Sequence, residues 1–435
     1  MNLQNRTTEL VSQFLEGSPK QIVIAYSGGV DSHLLLVTVA ELVSKYPAHH
    51  YLAVHVNHGL SPNADQWQKH CQQVCAELNI QFKVQQVKVD ASANGGLEAA
   101  ARKVRYQALE AMTEHHGVIL LGQHVQDQLE TILLQLKRGA GPKGLSAMAQ
   151  SSVNENSITL ARPFLGLEKQ DIVQLAQQKG LQWIEDESNQ DTRFDRNFLR
   201  SQIIPSLLER WPNLASAANR SAQLCAEQQQ LLDEVNAKHL QAMVNQRFAI
   251  HIGKLQRLSE AWQNQIVRFW LAEQKVEMPS QSVLGELPKL LGAKPDGNPI
   301  IDIGLYQLRR FREHLYCIKK RKPELDVKLT LTTSNTRLPN DLGHLHIDEK
   351  YIGQLLIVSR ANNLKFKPLG SPHSKLLKQW FKQWDVPVWE RERSLMLYWQ
   401  DNVIAVLCEQ HITFASEIPC ELRTMLHFRP NPPQL

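Results

Sequence analysis

The stretch Ser27-Gly28-Gly29-Val30-Asp31-Ser32 combines the donors and the backbone freedom that a polyphosphate requires. An apolar run over residues 22–26 precedes it and a helical pattern over 32–44 follows. Gly28 and Gly29 carry no Cβ, so the chain can turn sharply and bring its N–H groups close to anionic oxygens. The helix that follows adds the positive end of its dipole. Ser27 and Ser32 add hydroxyl donors. Asp31 is the odd member, because a carboxylate repels phosphate; it suits a magnesium ligand or a cap on backbone donors. A plain Gly turn capped by Asp and Ser is the alternative, and the strand–loop–helix order favours the nucleotide loop. The loop does not end in Gly-Lys-Ser/Thr, so γ-phosphoryl transfer is not the favoured chemistry.

A second constellation follows an apolar run at 118–122. Asp127 and Glu130 stand three apart where a helix begins, so both can face one site, with His124 just before them. Two carboxylates suit an ammonium group, which they can hold and later deprotonate. They suit magnesium equally well, and acidic residues also stabilise a helix N-terminus without any ligand. Glu98, Arg102 and Arg105 fall on one helix face, either as a salt-bridged stripe or as cations for adenylate and pyrophosphate. Arg196, Asn197 and Arg200 either contact phosphate or lock their own loop. His55, Asn57 and His58 end a strand, in binding or capping positions.

These groups need a frame. Strand patterns at 22–26, 51–56, 82–89 and 118–122 alternate with helical patterns at 32–44, 66–78, 97–112 and from 127 onward. Such alternation predicts a doubly wound parallel sheet with helices on both faces and ligands beyond the strands' carboxyl ends. Residues 151–157 read as a polar surface loop, 168–179 as a helix and 214–244 as one long helix. At roughly 100–200 residues per domain, 435 residues suggest two to four domains. The expected divisions are an α/β domain carrying the phosphate loop at 1–213, a helical domain at 214–320, a linker or strand-rich connector at 321–358, and a small mixed α/β domain at 359–435.

Hydrophobic residues make up 43% and charged residues 21%, the balance of a soluble globular chain. No apolar run is long enough for a bilayer and no secretory signal is visible, so no membrane partner is expected. The six cysteines are scattered, which points to a reducing cytoplasm. Cys71 and Cys75 read as inert thiols on a helix face. The net charge of +5 fits a nucleic-acid partner without requiring one. Basic residues concentrate at Lys319, Lys320, Arg321 and Lys322, then at Lys365, Lys367, Lys375, Lys378, Lys382, Arg391 and Arg393. Trp380, Trp384, Trp389 and Trp399 lie among them and are expected in the core.

Residues 27–32 match the SGGxDS motif of the PP-loop ATP pyrophosphatase superfamily. Four further stretches, at 55–60, 98–106, 122–141 and 185–200, resemble the tRNA(Ile)-lysidine synthetases. The likeness continues more weakly into the C-terminal half, and it implies that 1–213 is an adenylation domain, 214–320 a substrate- and tRNA-binding domain and 359–435 a tRNA-binding domain. It implies cleavage of ATP between the α and β phosphates, adenylation of the wobble cytidine at its C2 oxygen, and attack by the ε-amine of free L-lysine. The tRNA is then tRNA(Ile) with a CAU anticodon, the product lysidine, and the by-products AMP and pyrophosphate. The ATP-binding set is Ser27, Gly28, Gly29, Val30, Asp31 and Ser32, with ATP arriving as its Mg2+ complex. The catalytic set is Asp31, Arg105, His124, Asp127 and Glu130; Asp127, Glu130, Arg196 and Arg200 bind substrate. The family usually has paired aspartates before the Gln, whereas this chain has Gln126 and then Asp127, so a role for the first aspartate does not carry over. Two rival readings are a PP-loop tRNA sulfur transferase and a nucleotide-regulated RNA-binding protein without ligase activity. A homodimer is compatible with the sequence.

Overall fold

A computed structural model describes residues 2–18, 20–59, 63–88, 96–185, 187, 191–294, 297–321, 326–360, 363–409 and 411–431, with the backbone alone at 96–99. Lys322 and the Glu98 side chain, singled out above, and Leu60, Asp186, Ser188 and Asn189, which fall within the stretches 55–60 and 185–200, lie outside the described residues. The chain forms two compact units, Met1–Leu232 and Asp233–Leu435.

The first unit opens with helix α1 (Leu3–Leu15) and then alternates β1 (Gln21–Ala25), α2 (Val30–Leu42), β2 (His50–Asn57), α3 (Ala64–Glu77), β3 (Gln81–Gln86), α4 (Gly96–Ala111), β4 (Val118–Leu120) and α5 (Val125–Lys137). A short α6 (Pro142–Leu145), the hairpin β5 (Ser151–Val153) and β6 (Thr159–Ala161), and α7 (Lys169–Gln178) follow. The unit closes with α8 (Asp195–Phe198), a π-turn at Leu199–Ile203, α9 (Ile204–Arg210) and the first part of α10 (Leu214–Met243).

The sheet order is β3-β2-β1-β4-β6-β5, parallel except at its β5 edge. Ile22, Val23 and Ile24 are all fully buried, which explains the continuous apolar run: both faces are covered. Alternation sends Ile22, Ile24 and Tyr26 toward α1, α2, α3 and α7, and Val23 toward α4. β1 lies between β2 and β4. The connections therefore leave β1 in opposite directions, and a crevice opens beyond the carboxyl ends of β1 and β4.

The expected loop at 151–157 is corrected in part. Residues 151–153 form β5, paired antiparallel with β6. An edge strand buries little, as Val153 at 68% exposure shows, so its composition carries no apolar signal. Cys71 and Cys75 are fully buried, and burial pushes both thiols up to about 12. Among the described residues no helix is long and apolar enough to cross a membrane.

The second unit contains β7 (Ile250–His251), α11 (Ile252–Leu255), α12 (Glu260–Glu273), α13 (Gln281–Leu284), α14 (Leu287–Gly292), β8 (Ile300–Ile303), β9 (Tyr306–Phe311) and β10 (His314–Lys319). The four strands form an antiparallel sheet in the order β7-β10-β9-β8 over a core centred on Trp270. Next come β11 (Lys328–Thr330), β12 (Asn335–Leu338), β13 (Gly343–His346), β14 (Leu355–Ser359), β15 (Lys365–Phe366), β16 (Lys375–Leu376), α15 (Leu377–Gln383), α16 (Val388–Arg391), β17 (Leu395–Trp399), β18 (Asn402–Leu407), β19 (Ile412–Phe414), α17 (Cys420–Thr424) and β20 (His427–Pro430). The stretch 321–358, expected as a linker or strand-rich connector, carries strands β11 to β14. β14 pairs with β17, and Leu355 and Ile357 share a core with Leu395 and Leu397. The stretch reads as polar because alternate residues such as Lys328 and Thr330 face out. Trp380 is buried, and Trp384 stacks on it at 5.8 Å, as expected of core tryptophans.

Gly343 sits at φ +125°, and a Cβ there would run into the Arg429 carbonyl and come within 2.8 Å of the Asn431 nitrogen. Gly343→Ala should therefore loosen β20 from β13. Hydrogen exchange should show lost amide protection over 427–430 while the first unit keeps its own.

Candidate active site

β1 delivers the chain to the loop, and Gly28 turns it at φ +90°, a region that L side chains rarely enter. A Cβ at Gly28 would also lie 2.5 Å from Ile184 Cδ1 and 3.0 Å from Cys71 Sγ. The segment before residue 185 thus packs directly on the loop, and the Ile184 N–H donates to the Gly28 carbonyl at 3.0 Å. The loop is braced internally. The Ser27 N–H donates to Ser32 Oγ at 3.2 Å, the two hydroxyls lie 3.1 Å apart, and Ser32 Oγ donates to the Gly29 carbonyl at 3.0 Å. Gly29 is the N-cap of α2, and no side chain caps it. The positive end of this helix therefore opens toward a ligand. Val30, the first helical residue, is buried.

Asp31 faces the crevice. Its two oxygens accept from Lys169 Nζ at 2.6 and 2.8 Å. Lys169 was not among the residues singled out from sequence. It sits 138 positions away at the start of α7, and no local spacing points to Asp31. Gly122, two residues beyond β4, is the other close approach: a Cβ there would lie 2.9 Å from the Asp31 carbonyl group.

His124 is the N-cap of α5. Its Nδ1 accepts from the Gln126 N–H at 3.3 Å, so the ring proton belongs on Nε2. That Nε2 lies 3.8 Å from Asp31 Oδ1 and 3.5 Å from Asp127 Oδ2. Asp127 serves both the helix and the site, since its Oδ2 accepts from the His124 N–H at 3.0 Å and its Oδ1 from Arg200 Nη2 at 3.0 Å. Glu130 is 1% exposed and accepts from Arg200 Nε at 2.6 Å and from Nη2 at 3.0 Å. Burial alone would raise the Asp127 carboxyl, but His124 and Arg200 outweigh it and hold it low. Burial dominates at Glu130, helped by the Asp127 charge against the pull of Arg200, and raises its carboxyl. The pair is thus split into a firmly ionised and a more basic member.

Arg200 lies in the π-turn at Leu199–Ile203, a rare irregularity that is frequent at functional sites. Both Arg196 and Arg200 make contacts within the protein. Arg200 clasps the acid pair, and Arg196 Nη2 donates to Thr131 Oγ1 at 3.4 Å. Arg105 lies in the electrostatic reach of Arg196 and Asp127. Arg102 instead covers the Tyr106 ring at 5.1 Å. His55 Nδ1 meets the Tyr26 carbonyl at 3.0 Å, and Asn57 Oδ1 caps the Gly59 N–H at 2.8 Å, so both brace backbone. At Gln126, where the family pattern has aspartate, Oε1 is buried without a hydrogen-bond partner among the described residues.

The PP-loop domain family matches residues 1–207, the TilS substrate binding domain 250–316 and the TilS substrate C-terminal domain 355–409. The tRNA(Ile)-lysidine synthase of Serratia proteamaculans (strain 568) is 41% identical over 417 residues, covering 94% of each chain. The chain belongs to the tRNA(Ile)-lysidine synthase family. The Vibrio vulnificus (strain CMCP6) member is 41% identical over 414 residues, which is 91% of this chain and 94% of that protein. Among solved structures, the U34-tRNA thiolase NcsA from Methanococcus maripaludis has a TM-score of 0.43 at 15% identity, over 52% of this chain and 79% of that one. Family membership makes this chain a PP-loop enzyme.

Arg200→Ala should leave the buried Glu130 without both of its hydrogen bonds. Removing a partner from a fully buried pair costs roughly 3–5 kcal/mol. Arg200 has a side chain 45% exposed, so water softens the loss to about 1–3 kcal/mol. Thermal melting should show the destabilisation, and adding Glu130→Gln should recover part of it.

Proposed function

We propose that this enzyme joins L-lysine to C2 of the wobble cytidine of tRNA(Ile) with a CAU anticodon, by way of an adenylated cytidine. The observation that carries the reading is the bridge formed by His124. Its Nε2 stands between Asp31 of the phosphate loop and Asp127 of the acid pair, at 3.8 and 3.5 Å, so nucleotide and amine chemistry share one crevice.

The loop at 27–32 holds the phosphates of ATP through backbone N–H groups and the α2 terminus. The cytidine C2 oxygen attacks the α-phosphorus and pyrophosphate leaves. The lysine ε-amine then attacks C2 and AMP leaves. Asp127 and Glu130 hold the ammonium, and Glu130, the more basic of the two, takes its proton. Arg200 must yield part of its hold on the pair to the incoming ammonium. Arg105 and Arg196 stabilise charge on the leaving groups. Lys169 stands close enough to the loop to turn from Asp31 toward a phosphate.

The residues fit a magnesium ion carried in with the nucleotide. Asp31 offers one carboxylate, and among the described residues no group of three or more His, Cys, Asp or Glu side chains is placed to hold a metal. Magnesium ordinarily takes one or two carboxylates together with substrate phosphates, and would here neutralise phosphate charge. Sulfur transfer is disfavoured, because Cys71 and Cys75 beneath the loop are buried with their thiols pushed up to about 12, the reverse of activation.

Radiolabelled lysine should enter tRNA(Ile) in an ATP-dependent manner, with stoichiometric AMP. No incorporation into intact tRNA would overturn the reading. Asp31→Ala should cut AMP formation at least about 100-fold, the scale expected when a group that stabilises transition-state charge is lost, and filter binding should show tRNA still held. An unchanged rate removes Asp31 from the site.

A further inference from the structure

The outward face of the three-stranded sheet β12-β13-β20 has no part in the chemistry above. Its register lays two rows of side chains across three strands. One row is Asn335, His346 and His427; the other is Arg337, His344 and Arg429. The residues between them, Thr336, Leu345 and Phe428, turn to the other side, and Leu345 and Phe428 join the hydrophobic core. All six outward residues are exposed.

This face is chemically one-sided. Its six side chains are two guanidinium groups, three imidazoles and an amide, with no carboxylate. Arg337 has a partner in Asp341 at 3.2 Å, and Asp341 also serves Arg321 at 3.4 Å. Arg429 has no carboxylate partner among the described residues. His346 and His427 stack with ring centroids 6.3 Å apart and planes 21° from parallel, which makes a flat aromatic platform. Asn335, His344, His346, His427, Phe428 and Arg429 line an open hollow of about 480 Å³, within the range of roughly 300–1,000 Å³ that small ligands occupy.

We propose that this face is an RNA-binding surface that takes a phosphate on Arg429 and a base on the His346–His427 platform. The inference rests on the reading of tRNA as substrate and adds a specific surface to it. Charge complementarity selects the occupant. A free guanidinium donates two parallel hydrogen bonds to a phosphate. Flat rings accept an unpaired base by stacking, and an amide reads a base edge or a 2′-hydroxyl. An acidic peptide would satisfy Arg429 but leave the stacked imidazoles unused. The face exists only because β20 lies against β13, the close approach that Gly343 permits.

The test is binding of full-length tRNA(Ile) to the intact chain across a potassium chloride series, by fluorescence anisotropy. Arg429→Gln should weaken binding about tenfold at low salt and reduce the slope of log K against log salt by about one. Arg429→Lys should restore most of that slope, which a merely structural role for the arginine would not do. The double variant His346→Ala/His427→Ala should weaken binding about tenfold with the slope kept, as expected for lost stacking. ATP affinity should be unchanged in all three. Unchanged tRNA affinity and slope in both the Arg429→Gln and the double histidine variant, while the parent chain still charges tRNA with lysine, would overturn the surface and leave the proposed reaction standing. That is also the result expected of a face that receives a protein segment. A parent chain that does not bind tRNA would overturn both.

Discussion

Three carboxylates, Asp31, Asp127 and Glu130, meet at the carboxyl edge of one sheet, and the site depends on how their mutual repulsion is met. Glu130 has almost no contact with water, so its charge must be answered by protein. Arg200 answers it with two hydrogen bonds and adds a third to Asp127. Lys169 does the same for Asp31, and the Nε2 of His124 lies between the two sets. Arg200, Lys169 and His124 each come from a different element. The electrostatic requirement therefore also ties α5, α7 and the π-turn after α8 to the loop after β1. A site arranged in this way keeps its acids close without a ligand, and it presents an incoming cation with carboxylates already in position.

The phosphate side of the crevice rests on steric permission more than on charge. Gly28 allows the left-handed turn, Gly122 allows β4 to end against the first turn of α2, and Ile184 closes over the loop from the far end of the unit. Substituting any L side chain at Gly28 or Gly122 would move backbone that has to meet an anion, so the loop's shape is set by missing atoms. The bracing hydroxyls of Ser27 and Ser32 then hold that shape while leaving the α2 terminus uncapped. Beneath the loop, the buried thiols of Cys71 and Cys75 act as packing.

The second unit shows a different use of sheet register. The hairpin β12–β13 and the strand β20 lie about 80 residues apart in the chain, and their pairing gathers histidines and arginines that are unremarkable singly into two ordered rows. The lysine and tryptophan texture of residues 365–399 drew attention in the sequence, yet its tryptophans belong largely to the core, with Lys375 lying over the Trp380 ring. Basic composition pointed to residues 365–399, whereas register gathers exposed histidines and arginines at 335–346 and 427–430.

The sequence by itself determined whatever depends on neighbours a few positions away. The loop at 27–32, the strand before it, the helix after it, the acid pair at Asp127 and Glu130 and the long α10 helix all follow from local spacing. So do the inert character of Cys71 and Cys75 and the alternation that makes the first sheet parallel. Tertiary structure decided which charge answers which. Lys169 meets Asp31 across 138 positions and Arg200 meets Glu130 across 70; Lys169 carries no sequence signal, and the motif that marks Arg200 does not say which carboxylate it meets. It also decided that residues 151–153 form an edge strand and that β14 pairs with β17. The reason is physical. Periodicity and turn chemistry are properties of a short segment, whereas an ion pair or a strand partner is chosen by the burial of groups that only folding brings together.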